Sequence, residues 1–306
     1  MKAAGLALLI ILLGVWCLWT PDMDRATLER KYLAAPQDLV TVLGVKLHVR
    51  DSGPQDAPAV LLLHGFGASL HTWEPWAKDL SRDLRVIRID LPGSGLSSPD
   101  PSGNYSDSRT IDIILALLDQ LNMAKISVVG NSIGGRIAWT LAATHPERVT
   151  KLVLISPDGF ASPGFEYGKA PEVPATVQLM RYTLPKWLLR ISLVPAYADP
   201  QAMTDERATR YHDLMLGPGS RNAMIARMQQ TVLADPVPLL RRITAPTLIL
   251  WGKQDGMIPF ANSADYLKAI PNPTLVALEG AGHLPHEEVP ERSLLPVRNF
   301  LLGPPN

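Results

Sequence analysis

The feature that most narrows the folds open to this chain is the step from Ile126-Ser127-Val128-Val129 into Gly130-Asn131-Ser132-Ile133-Gly134-Gly135. A short apolar run breaks into a G-x-S-x-G turn, and helical spacing follows over Arg136–Thr144. A serine on so sharp a strand-to-helix turn protrudes, and its hydroxyl can meet both a substrate and a base. Such a turn forces unusual backbone angles at the serine and leaves no room for neighbouring side chains. Glycines at 130 and 134 supply that room, and Gly135 lets the helix pack closely. The helix amino terminus points its partial positive charge where an oxyanion would form. A chance match in a Gly/Ser loop is the alternative, and it would lack the strand before and the helix after.

The same rhythm runs through the rest of the chain. Val40–Arg50 alternates around Gly44 as a β-hairpin does. Ala59–Leu63 reads as a strand ending at HGFG (His64–Gly67), and Arg85–Asp90 as one closed by LPGSG (Leu91–Gly95). A helical stretch from about Ser108 to Leu121 precedes the strand at Ile126, and Lys151–Ile155, Thr247–Trp251 and Thr274–Leu278 are further strands. Short apolar strands alternating with helices predict an α/β fold with a mostly parallel central sheet flanked by helices. Between residues 158 and 238 the strand signals stop, and Met, Pro and aromatic residues accumulate in helical segments. That stretch is expected to be a helical cap inserted after the sixth strand. The core is then 39–157 and 239–306, with 21–38 a linker or short helix.

A length of 306 residues suits one large α/β domain, and 46% hydrophobic residues can fill its core. The formal net charge is zero with no block of like charges, which excludes the concentrated basic face that nucleic acid requires. The single cysteine, Cys17, allows no internal disulfide, and no Cys/His spacing suits zinc.

Residues 1–20 differ from everything after them. Ala3–Trp19 is an unbroken apolar run behind a lone Lys2. As a helix it would be roughly 25 Å long, near the lower limit for a hydrocarbon core of about 30 Å. Trp16 and Trp19 fall at its end, as aromatic side chains do at a lipid–water boundary. A cleaved secretion signal is the rival reading, but Trp16, Cys17, Leu18 and Trp19 offer no small-x-small cleavage site. The expectation is a single-pass membrane anchor through residues 3–19. The periplasmic or extracytoplasmic face is only slightly favoured for the domain, because the flanking charges decide nothing.

HGFG, DLPGSG, GNSIGG, WGKQD and GAGH occur here in the order seen across the α/β-hydrolase superfamily, over roughly residues 40 to 302. The spelling resembles the esterase and lipase branch, including membrane-anchored monoacylglycerol lipases and cold-active bacterial lipases. It is also similar to hydrolases that cleave carbon–carbon bonds in ring-fission products. The resemblance implies Ser132 as nucleophile and His283, at the family's GH position, as base, helped by the flexible Gly280-Ala281-Gly282 lead-in. His286 is the rival base, more readily a structural partner in the next turn. Asp255, in the WGKQD turn, is implied as the acid that fixes the imidazole tautomer. Asp158, after the strand KLVLI, competes for that role because some relatives place the acid one strand earlier. Backbone N–H groups of Phe66 and Ile133 are implied as the oxyanion hole, and His64 as a brace for its loop.

The activity implied is cofactor-free and metal-free hydrolysis of carboxylic esters through an acyl-enzyme. The expected substrate is a small-molecule ester with an apolar acyl chain, such as a monoacylglycerol. The cap residues Phe160, Phe165, Met180, Tyr182, Leu184, Trp187 and Leu188 could bury that chain, or simply pack cap on core. The second reading is carbon–carbon bond hydrolysis of a vinylogous diketone acid, with Arg181 or Arg190 of the cap receiving the acid. Against it, GHLPHEE lacks the tryptophan those enzymes often carry after the histidine. Dehalogenase and epoxide-hydrolase relatives place an aspartate where this chain has Ser132. A ligand-binding protein without catalysis is the third reading, disfavoured because all three triad members are present.

Overall fold

The computed structural model describes residues 18–161 and 166–304. Eight strands form one sheet in the order β1-β2-β4-β3-β5-β6-β7-β8. They are β1 (Leu39–Val42), β2 (Val45–Ser52), β3 (Ala59–Leu63), β4 (Arg85–Ile89), β5 (Ile126–Asn131), β6 (Val149–Ile155), β7 (Thr247–Gly252) and β8 (Thr274–Leu278). The β1–β2 hairpin and the β2–β4 pair are antiparallel, and every other pairing is parallel. The hairpin turns at Leu43 and Gly44, both with positive φ.

The helices in chain order are α1 (Arg25–Tyr32), α2 (Glu74–Leu80), α3 (Asp107–Gln120), α4 (Ile133–Thr144), α5 (Ala175–Gln178), α6 (Lys186–Leu193), α7 (Asp205–Met215), α8 (Ser220–Gln230), α9 (Val237–Leu240), α10 (Ser263–Ala269), α11 (Pro285–Glu288) and α12 (Pro290–Leu302). Successive strand side chains point to opposite faces, so a strand covered on both sides must be apolar throughout. On β3, Leu61 and Leu63 join the layer that includes Ile114 and Leu117 of α3 and Ile137 and Leu141 of α4. Val60 and Leu62 face the other way, into the layer with Trp76 and Leu80 of α2 and Leu294 and Val297 of α12. Each such leucine contributes about 1.5–3 kcal/mol by burial, and the sheet is fixed between two dry layers.

Helices α5 to α8 are inserted between β6 and β7, in the stretch expected to be the cap. The stretch before β1 is docked on it. Asp24 caps α1 by accepting from the Thr27 N–H, and Leu28 is buried against Leu96 and Leu214. Asp22 pairs with Arg221 of α8 at 2.6 Å. The Met23 N–H donates to Leu216 O at 2.7 Å. Lys31 Nζ and Tyr32 Oη both donate to Asp213 of α7, at 2.6 and 2.8 Å. Residues 20–32 therefore form a strap that ties the cap to the start of the core.

The expectation of a single-pass membrane anchor is corrected. Among the described residues no helix is long and apolar enough to cross a membrane, and the membrane face assigned to the domain falls with it. Residues 3–17 of the apolar run, Cys17 included, lie outside the described residues. Its last member, Trp19, rests on the cap, with its ring stacked on Tyr182 at 6.0 Å between centroids. The Thr20 N–H donates to Tyr182 O at 2.9 Å.

Candidate active site

Strand β5 ends at Asn131 and α4 begins at Ile133, so Ser132 is the whole of the turn between them. Its φ of 55° and ψ of −121° place a non-glycine residue in a sparsely populated region, which costs of order 1–3 kcal/mol unless the surroundings enforce it. The enforcement is visible on every side. The Ser132 N–H donates to Ile155 O at 3.1 Å, and Ser132 O accepts from the N–H groups of Arg136 and Asp158 at 3.0 Å each. A Cβ at Gly134 would lie 2.3 Å from Leu63 O, and one at Gly130 would lie 2.2 Å from Gly134 O. Only glycines let β5, α4 and the end of β3 come this close.

Asn131 links the turn to the loop bearing His283. Its side-chain NH₂ donates to Ile155 O at 3.1 Å and to His283 O at 3.0 Å. The His283 ring is buried and its Nδ1 lies 2.8 Å from Asp255 Oδ2. The other Asp255 oxygen accepts from the Met257 and Ile258 N–H groups, at 2.8 Å each. A carboxylate held on both oxygens fixes the imidazole with Nδ1 protonated, leaving Nε2 as the basic nitrogen.

Phe66 lies in the loop that follows β3. A Cβ at Gly65 would come within 3.2 Å of Ser132 Cβ, so this loop runs directly beside the turn. His64 braces it as expected. Nδ1 lies 2.7 Å from Gly65 O, and Nε2 accepts from the Leu91 N–H at 2.9 Å. Complete burial pushes the His64 pKa down, which suits a neutral ring that donates on one side and accepts on the other. Ile133, at the first position of α4, directly follows Ser132.

The competitors are occupied elsewhere. Asp158 pairs with Arg136, which Asp107 holds from its other side at 2.7 Å. His286 Nε2 lies 2.9 Å from Thr72 Oγ1, and its ring stacks on Trp73 at 4.1 Å. Burial lowers the His286 pKa to about 3, so it stays neutral as a structural partner. Arg190 is exposed and pairs with Asp205 of its own cap. Arg181 lines a groove of about 270 Å³ with Trp19, Pro21, Asp22, Tyr182 and Arg221, in which no triad candidate takes part. Several apolar cap residues point outward: Tyr182 is 54% exposed and Trp187 63%, with Leu188 also exposed. Phe160 instead packs edge-on against Tyr266, Leu184 is buried, and Phe165 lies outside the described residues.

What does cover the His64–Gly67 loop is a methionine-rich cluster. Met215 and Met224 pack with Ala68, Leu184, Leu189, Tyr211 and Leu216. A Cβ at Gly67 would lie 3.6 Å from Met224 Cε and 3.8 Å from Met215 Sδ. Sequence reasoning also passes over Glu288, whose carboxylate accepts from the Gly282 N–H at 2.7 Å and so holds the lead-in to His283. The available signal was a pair of adjacent acids, Glu287 and Glu288, straight after GHLPH.

The family model for the alpha/beta hydrolase fold matches residues 58–290. The 2-hydroxymuconate semialdehyde hydrolase of Pseudomonas putida is 30% identical over 271 residues, which is 86% of this chain and 92% of that protein. Among solved structures, the enol-lactonase from Burkholderia xenovorans LB400 has a TM-score of 0.73 at 26% identity, covering 86% of this chain and 99% of its own. A bacterial membrane phospholipase A has a TM-score of 0.72 at 25% identity, covering 99% of both. Sheet order, serine turn and family model agree, and this chain belongs to the α/β-hydrolase fold family as a hydrolase.

Proposed function

We propose that the protein hydrolyses carboxylic esters with an apolar acyl chain, monoacylglycerols among them, through an acyl-enzyme on Ser132. Ser132 Oγ attacks the ester carbonyl while His283 Nε2 takes its proton. The backbone N–H groups of Phe66 and Ile133 receive the oxyanion. His283 then protonates the departing alcohol, and water activated by the same imidazole releases the acid. Asp255 keeps the imidazole in the required tautomer and stabilises its cation.

The observation that carries the ester reading is the apolar roof of Met215 and Met224 over the Gly67 end of the oxyanion loop. Methionines adapt their shape to a flexible chain, whereas a substrate acid needs a cation. Neither Arg190, paired with Asp205, nor Arg181, in its separate groove, supplies one. Two of the similar structures are named for ester cleavage, as a lactonase and a phospholipase A. The second reading, carbon–carbon hydrolysis of a vinylogous diketone acid, is supported by the Pseudomonas putida relative at 30% identity.

Purified protein assayed side by side on p-nitrophenyl butyrate, a monoacylglycerol and 2-hydroxymuconate semialdehyde separates the two. Turnover of the esters with a kcat/KM at least tenfold above that for the semialdehyde is expected. The reverse ratio assigns the carbon–carbon reaction.

A further inference from the structure

The cap segment 194–199 lies backbone-to-backbone on the two loops that carry the candidate acid and base. The His283 N–H donates to Ala196 O at 2.8 Å. A Cβ at Gly282 would fall 2.6 Å from Ala196 O and 2.7 Å from Ala198 N, and one at Gly256 would fall 2.6 Å from Pro195 O. The segment is thus a bracket that spans the turn after Asp255 and the turn before His283. It has no hydrogen-bond ladder of its own to hold it there, being a single 3₁₀ turn over Val194–Ala196 running into extended chain at Tyr197.

Its attachment is a pair of carboxylates in α11. Glu288 accepts from the Asp199 N–H at 2.7 Å with one oxygen, while the other holds Gly282. Glu287 is the deeper of the two, only 2% exposed. It accepts from Tyr197 Oη at 2.7 Å and from Tyr211 Oη of α7 at 3.1 Å, and it pairs with Arg210 of α7. Arg207 of the same helix donates to the Glu287 backbone carbonyl at 2.5 Å. Four cap side chains therefore converge on one residue of the core, four positions after His283. Burial alone would raise the Glu287 pKa, but Arg210 and the other donors outweigh it and hold the carboxyl below its usual range. The hub is charged, fully partnered and costly to break from either side.

We propose that Glu287 is a positioning residue that makes alignment of the Asp255–His283 pair conditional on cap docking. With the latch closed, the bracket supplies the acceptor for the His283 N–H from above, while Asn131 holds the His283 carbonyl from below. With the latch open, that acceptor is withdrawn and the imidazole loses one of its two backbone restraints. The cap is then part of the catalytic geometry as well as a wall of the binding site. This inference rests on the triad roles proposed above, but not on which substrate is cleaved.

Two substrate-independent readouts test it: the rate of labelling by a fluorophosphonate, and the low-field proton resonance of the His283 Nδ1–H···Asp255 bond. Misplacement of a reacting group by about 1 Å costs about a hundredfold in rate, so E287A is expected to slow labelling on that order and to broaden or remove the resonance. E287Q, which keeps an acceptor oxygen for the tyrosines, is expected to recover the resonance and all but about tenfold of the labelling rate. R221A, which loosens the strap on α8 instead, is the stability control and should leave both readouts unchanged. Normal labelling and an intact resonance in E287A overturn the proposal, as does an equal loss in R221A. Should E287A fail to fold, Y197F removes one hydroxyl from the latch more gently and must show the same paired loss. Failure of the wild-type protein to label would instead sink the serine-hydrolase reading itself.

Discussion

At Ser132 the chain holds a side chain where glycine would be easier, and the residues around it repeat the pattern of tolerance withheld. Gly130 and Gly134 have no space for a methyl group, and Asn131 is held by two carbonyls. S132A should fold normally and lose on the order of 10⁶-fold in kcat, as removal of the nucleophile does in a comparable serine hydrolase. The two aspartates separate by partner. Asp255 meets His283, so D255N should cost about 10⁴-fold in kcat by favouring the wrong imidazole tautomer. Asp158 meets Arg136, so D158N should leave kcat within about tenfold and appear mainly as a lower unfolding midpoint. A steady-state assay beside a urea titration distinguishes them, and a crippled D158N with an active D255N would reassign the acid.

At the scale of elements, the sheet was readable because strands buried on both faces must be continuously apolar. Ala59–Leu63, buried from Val60 onward, has the bounds the sequence indicates, and so does the largely uncovered edge strand Thr274–Leu278, while Ile126–Val129 proves two residues longer because Gly130 and Asn131 still pair with β6. What could not be read is direction and partnership at a distance. Trp187 and Leu188 look like lining in sequence yet face outward, since hydropathy gives no orientation within an irregular cap. The strap was invisible for the same reason. Its pairs, Asp22 with Arg221 and Lys31 with Asp213, join residues nearly two hundred positions apart. Asp213→Ala would leave the Tyr32 hydroxyl without its acceptor at a half-buried site. A loss of about 1–3 kcal/mol in urea unfolding is expected, with Tyr32→Phe costing about 1 kcal/mol. Equal midpoints for D213A and wild type would show that the strap adds nothing to the cap.

For the whole molecule, acid is the exposed weakness. Burial lowers the pKa of His71 to about 4 and of His286 to about 3, and it lowers that of His64 as well. In the unfolded chain each imidazole would take a proton near its ordinary pKa of about 6.5. Below that pH the unfolded state binds more protons than the folded one, so stability falls as the pH drops from about 6.5 towards 4. Glu287 extends the decline, because a carboxyl held below its usual range contributes stability that is lost as it protonates. Urea midpoints between pH 7 and pH 5 should decrease steadily, with a slope of about one proton for each buried imidazole, and H286Q should remove about one proton from it. The strap carries one more practical consequence, for anyone choosing expression boundaries. A gene trimmed to start at Pro36 would keep all eight strands and Ser132, Asp255 and His283, and so would pass for a complete enzyme on paper. It would also strip Arg221 and Asp213 of their counter-charges and lay Leu214 bare. Loss of performance in such a product would be a symptom of a loosened cap, with all three candidate catalytic residues still in the chain.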